Sequence, residues 1–152
     1  MYNVEKNKIK RGKNKMKLWS ELFQSVVDME YNELVSEAKK CYEKIQEFGI
    51  VYKSDSNPRS FIISLAVAAV ATDRQFSVLE QSFVKDVLDI DDDVFFDYVC
   101  ETDENLIVAL EDIIDTLDIE AKSEVAYFLS LLCACDMTVA PDENELIRRL
   151  IV

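Results

Sequence analysis

The chain has 152 residues, 49% of them hydrophobic, and a formal charge of −13 from 30 Asp and Glu against 17 Lys and Arg. It holds no histidine, which excludes Ser-His-Asp and Cys-His nucleophile pairs, an HExxH zinc site and imidazole proton transfer. Its two glycines, Gly12 and Gly49, stand too far apart for a phosphate-cradling loop or a dinucleotide fingerprint, and Gly and Pro are too scarce for the turns of an all-β domain.

The length suits one domain, able to bury roughly 68–70% of its unfolded surface, and the pattern predicts an all-α bundle of six to eight helices. Charge divides it in two. Residues 1–17 carry Lys6, Lys8, Lys10, Arg11, Lys13, Lys15 and Lys17 against Glu5, a local net of +6, so the other 135 residues carry −19. Residues 1–16 read as a basic disordered tail ahead of a start at Met16, because they lack the apolar content that offsets ordering entropy. The sharper alternative is a contact with nucleic acid or an anionic membrane surface. The acidic body, residues 17–152, repels a polyanion and is not expected to bind nucleic acid.

Residues 18–48 have helical spacing, with one apolar stripe through Leu18, Leu22, Val26 and Met29 and another through Tyr31, Leu34, Val35, Ala38, Tyr42 and Ile45. Gly49 is the expected left-handed stop, and Asn32 is a candidate cap that would divide the segment into two helices. A loop over 50–57 leads to Pro58, which opens a helix running to Ala71. The run 61–71 (FIISLAVAAVA) is apolar all round and too short for the ~20 residues of a membrane span, so it belongs at the centre of the bundle. No apolar segment follows the basic tail as a targeting signal would require; a cytoplasmic protein with at most peripheral membrane association is expected.

Ser77 and Glu80 form an S-x-x-E capping box at the head of a helix over 77–88, whose apolar face is Leu79, Phe83, Val84, Val87 and Leu88. Asp91, Asp92 and Asp93 precede the next helix, where acids complement the macrodipole; the alternative is three carboxylates on a metal. Leu106, Leu110, Ile113 and Leu117 predict a helix over 104–117, and Ala121, Val125, Phe128, Leu132 and Cys135 one over 119–135. Pro141 starts a last helix with Leu146, Ile147, Leu150 and Ile151 on one face and Arg148 and Arg149 favouring its C-terminal end. Cys41, Cys100, Cys133 and Cys135 lack CxxC spacing, which predicts reduced, buried thiols rather than disulfides or a zinc cluster.

Two stretches 63 residues apart are alike. In each an apolar helix ends at an Asp (Asp73, Asp136), an apolar residue follows three positions on (Phe76, Val139), and a Glu falls seven positions after the Asp (Glu80, Glu143). Two helix-turn-helix units of this kind predict a pseudo-symmetric pair. Their carboxylates suit a hard cation, Ca²⁺ or Mg²⁺. Equally, Glu80 and the Asp residues can serve only as caps for their own helices. The loops are not EF-hands, which need Asp or Asn at alternate positions and a glycine at the sixth.

The alanine-rich helix followed by D-x-x-Φ-x-x-x-E and an apolar helix resembles the tellurite-resistance TerB-like family, and is similar to the N-terminal part of membrane-anchored DnaJ-type co-chaperones. The likeness covers about residues 18–152 and both motif copies. It implies a duplicated all-helical bundle, divalent metal binding at Asp73, Glu80, Asp136 and Glu143, and a non-enzymatic role beside other stress-response proteins. The family's glycine after the Asp is replaced here by Arg74 and Met137, and both disfavour a positive φ. The competing expectation is an acidic protein-interaction or immunity-type module without metal, steered toward a basic partner. An enzyme is the least expected, since no nucleophile–base pair can be written.

Overall fold

The structure is a computed structural model that describes residues 21, 24–50, 58–71, 77–136 and 149. Its described residues form an all-α bundle of α1 (Tyr31–Glu47), α2 (Pro58–Ala71), α3 (Val78–Leu88), α4 (Asp92–Glu101), α5 (Glu104–Thr116) and α6 (Ile119–Asp136). No described helix is long and apolar enough to cross a membrane. The tail, the connections over 51–57 and 72–76, and the last helix apart from Arg149 lie outside the described residues.

The segment predicted over 18–48 is divided in two. Helical residues 24–26 end where the Met29 N–H bonds the Val26 carbonyl at 3.1 Å, and α1 restarts after an extended Glu30. Asn32 is therefore not the cap: Glu30 holds that position, without a side-chain bond, and Asn32 sits inside the first turn. Gly49 does close the helix at φ 66°, a conformation open to glycine without the usual Cβ penalty.

Pro58 is the first residue of α2, where its missing N–H costs nothing. From Phe61 to Val70 every residue of α2 is buried, and it touches α1, α3, α4 and α6; the all-round apolar run makes it the central helix. The second half of α6 matches it, with Phe128 to Cys135 all buried. Leu34, Ala38, Cys41 and Ile45 form the inward stripe of α1, which lies along α6. Phe61, Phe83, Phe95 and Phe128 are the largest fully buried side chains; each such ring withdraws some 150–250 Å² from water.

The connections from α3 through α6 are two or three residues long, and an Asp opens each new helix. Asp91, Asp103 and Asp118 accept from the backbone N–H groups of Val94 (2.9 Å), Leu106 (2.8 Å) and Ala121 (2.9 Å). The cap reading of the Asp91 run is thus the observed one, and Asp92 receives Lys85 Nζ at 2.6 Å. In α5 the buried line is Ile107, Leu110 and Ile114, while Leu106, Ile113 and Leu117 are half-buried. The register is one residue off the predicted stripe, because the apolar arc is wide enough to hold both lines. Arg149 forms ion pairs with Glu104 (2.9 Å) and Glu111 of α5.

Candidate functional site

The corner where α3 begins and α6 ends is built from backbone requirements first. Ser77 is extended, at φ −77° and ψ 162°, and its hydroxyl accepts from the Glu80 N–H at 3.0 Å; Glu80 Oε1 accepts from the Ser77 N–H at 3.2 Å. Both halves of the predicted capping box are present. This engages Glu80 Oε1, and a carboxylate offers about four acceptor positions in all, so a cap and a further oxygen contact are compatible.

The charge of Glu80 reaches the Cys133 thiol on α6. That thiol is pushed up to about 12 by burial and then by the Glu80 carboxylate. α3 packs against α6, and Glu80 in its first turn lies near enough to act on Cys133, three residues before Asp136 closes that helix. Tyr31, at the start of α1, joins the same corner. Its hydroxyl donates to Asp86 of α3 at 2.6 Å and its ring meets Phe83 edge-on, with centroids 6.2 Å apart. Burial, the bond to Asp86 and the proximity of Cys135 raise the Tyr31 hydroxyl far above the ordinary tyrosine range.

Of the four residues predicted to hold a cation, Glu80 is thus placed at this corner. Asp136 is placed by its backbone alone, as the final residue of α6. Asp73 and Glu143 lie outside the described residues, as do the two turns themselves. Among the described residues no group of three or more Cys, Asp or Glu converges as a metal-ligand set.

A second polar seam runs between α1 and α6. Tyr127 approaches Glu37 at 3.4 Å, Lys40 pairs with Glu37 at 3.2 Å and Lys44 with Glu124 at 3.5 Å. Cys41 lies among them, pushed up to about 12 by burial and by the neighbouring Glu124, and Tyr127 is raised to about 12 by burial and Glu37. Thiols held so high stay protonated and are poor nucleophiles. Three cysteines, Cys41, Cys133 and Cys135, are buried as reduced thiols, but Cys100 on α4 is exposed, contrary to the expectation for all four. An open cavity of about 340 Å³ lies between α2 and the α3–α4 corner, lined by Arg59, Asp89, Asp91 and Tyr98 among others. Arg59 donates there to the carbonyls of Leu88 (3.0 Å) and Asp89 (3.2 Å), which quiets the C-terminal end of α3.

Sequence reasoning missed the caps at Asp103 and Asp118, although an Asp directly before an apolar periodic run is a readable start signal. It also missed the apposition of Glu80 and Cys133, which no spacing encodes. No family model, curated protein or solved structure matches this chain.

Proposed function

We propose that this chain is a non-enzymatic stress-response protein of the TerB-like kind, which takes Ca²⁺ or Mg²⁺ on the acidic turns bearing Asp73, Glu80, Asp136 and Glu143 and scaffolds other proteins. The observation that supports the reading is the packing of α3 against α6, with Glu80 of one motif copy close enough to act on Cys133, three residues before the Asp136 of the other. All-oxygen ligands suit hard cations. The same proposal puts the protein in the cytoplasm, where reducing conditions suit its unpaired thiols.

A ligand that binds only the folded state stabilises it by about 2.7 kcal/mol at one hundred times its Kd, or roughly 5–11 °C in Tm for a chain of this size. Thermal melts of the full chain in EDTA, Ca²⁺ and Mg²⁺ test this. Glu80→Gln is the informative variant, since the amide oxygen keeps the capping box while removing the carboxylate charge. The expected result is a cation-dependent rise in Tm for the parent chain that Glu80→Gln reduces. An unchanged midpoint with both ions refutes the cation half of the proposal.

A second reading, an acidic interaction or immunity-type module, is favoured by one observation: residues 86–121 contain fourteen Asp and Glu and no Lys or Arg. Recovery of one stoichiometric basic partner from the source cell, without any cation effect on stability, would select it.

A further inference from the structure

The cavity of about 340 Å³ between α2 and the α3–α4 corner has charges of both signs on its walls. Arg59 and Ser60 line it from the first turn of α2, Asp89 and Asp91 from the corner, and Val94 and Tyr98 from α4. Arg59 is paired with neither acid. Its Nη2 donates to the carbonyls of Leu88 and Asp89, and no ion pair among the described residues involves Arg59, Asp89 or Asp91.

Each charge is held in place with capacity to spare. An arginine carries five N–H donors. The two backbone bonds fix the guanidinium and leave its Nε and Nη1 donors without a partner among the described residues. α2 has no acid in its first turn, so nothing in that turn offsets the positive end of its dipole. Asp91 spends Oδ1 on the Val94 N–H and keeps its other oxygen. Asp89 sits at φ 52°, a left-handed conformation that a residue with a Cβ adopts at a cost. Tyr42 of α1 responds to both signs: burial raises its hydroxyl above the ordinary range, Arg59 lowers it and Asp89 raises it. Cation and acid therefore lie within reach of one side chain while remaining unpaired with each other. The rest of the lining is apolar, with Ile63 buried and Ile90 and Val94 half-buried.

A simple anion in this cavity meets Asp89 and Asp91, and a simple cation meets Arg59. A molecule that carries both charges beside a short aliphatic chain satisfies all three and covers the apolar lining. We infer that this cavity binds a small zwitterion of the aliphatic α-amino-acid class, its carboxylate on Arg59 and its ammonium on Asp89 and Asp91. The volume lies at the small end of the range for ligand cavities, which suits a ligand of that size. The site uses none of Asp73, Glu80, Asp136 and Glu143, so it stands or falls apart from the cation reading.

L-leucine is the probe, titrated into the ¹⁵N-labelled full chain. The amide signals of Ser60, Ile63, Ile90 and Val94 should move saturably, with a Kd on the order of 1 mM. Isocaproate is leucine without its ammonium and isoamylamine is leucine without its carboxylate. Each should bind about fivefold more weakly, the effect of losing one partly exposed charge pair. The double variant Asp89→Asn, Asp91→Asn keeps the fold, because asparagine tolerates the left-handed region and caps a helix as well as aspartate does. It should weaken leucine about fivefold without weakening isocaproate. Four signals that do not move saturably at about twenty times the expected Kd overturn the proposal. So does isocaproate or isoamylamine binding as tightly as leucine, or leucine binding the double variant as tightly as the parent chain.

Discussion

Asp89 is the described non-glycine residue with a positive φ, at 52° with ψ 55°, and it forms the corner that turns the chain from α3 into α4. The corner is held by backbone groups. The N–H groups of Asp89 and Ile90 both bond the Lys85 carbonyl, the latter at 3.3 Å, and Arg59 donates to the carbonyls of Leu88 and Asp89. None of these bonds needs the Asp89 side chain, so they survive substitution. A Cβ in the left-handed region costs about 1–2 kcal/mol, with Asp among the better tolerated residues because its side chain bonds locally. Asp89→Gly removes the Cβ, and Asp89→Ala keeps it while losing the local acceptor. Both variants delete the same charge, so the electrostatic effect of the carboxylate cancels in their difference. The expected gap is about 1–2 kcal/mol in favour of glycine, or roughly 2–8 °C in Tm at 2–4 °C per kcal/mol. Thermal melts and urea midpoints of the two variants measure it, with an unchanged m-value showing that the surface exposed on unfolding is the same. If the two variants melt together, the left-handed corner is not the conformation that turns the chain from α3 into α4.

Other outcomes are equally specific. Ser77→Ala removes the hydroxyl that holds the Glu80 N–H and should cost about 1 kcal/mol, read as a Tm lower by roughly 2–4 °C. In a thiol assay at pH 8 the native chain should titrate one rapid cysteine, Cys100, and all four after denaturation, because Cys41 and Cys133 are buried and raised to about 12; a second rapid native thiol would contradict the burial. The Lys85 ammonium, by its bond to Asp92, holds that carboxyl below its ordinary 3.8. A depressed carboxyl contributes stability above its unfolded pKa and loses it as pH falls through the folded value. Lys85→Met should therefore return the Asp92 carboxyl to the ordinary range in a ¹³C titration and lessen the loss of stability on acidification below about pH 4.

How far the fold was legible depended on whether one element's pattern had a single solution. The run 61–71 has no polar side, and only a central position can bury it, so α2 was readable in place as well as in type. The Ser77 capping box was readable because both of its bonds are local. The break at residues 27–30 was legible only as an alternative placed at Asn32, since the apolar spacing continues through it and no side chain caps the restart at Glu30. In α5 the spacing admitted two adjacent stripes, and only contact with its neighbours selected Ile107, Leu110 and Ile114.

The candidate sites expose a different limit. An acid in the sequence is an undivided quantity: the count of 30 Asp and Glu does not say which serve helix starts and which face outward. Asp91, Asp103 and Asp118 stand directly before their helices and each holds a backbone N–H, whereas Asp93, Asp97 and Asp112 lie inside helices. Glu80 belongs to both descriptions, since it closes a capping box and also projects its charge onto Cys133 across the helix boundary. Separating the two roles requires the helix bounds, because a shift of one residue would turn Asp93, Asp97 and Glu101 from an outward line into a flank. Once α4 is fixed at Asp92–Glu101, the acids that cap are accounted for locally. The carboxylates left over, Asp93, Asp97 and Glu101, are exposed to solvent along one side of that helix.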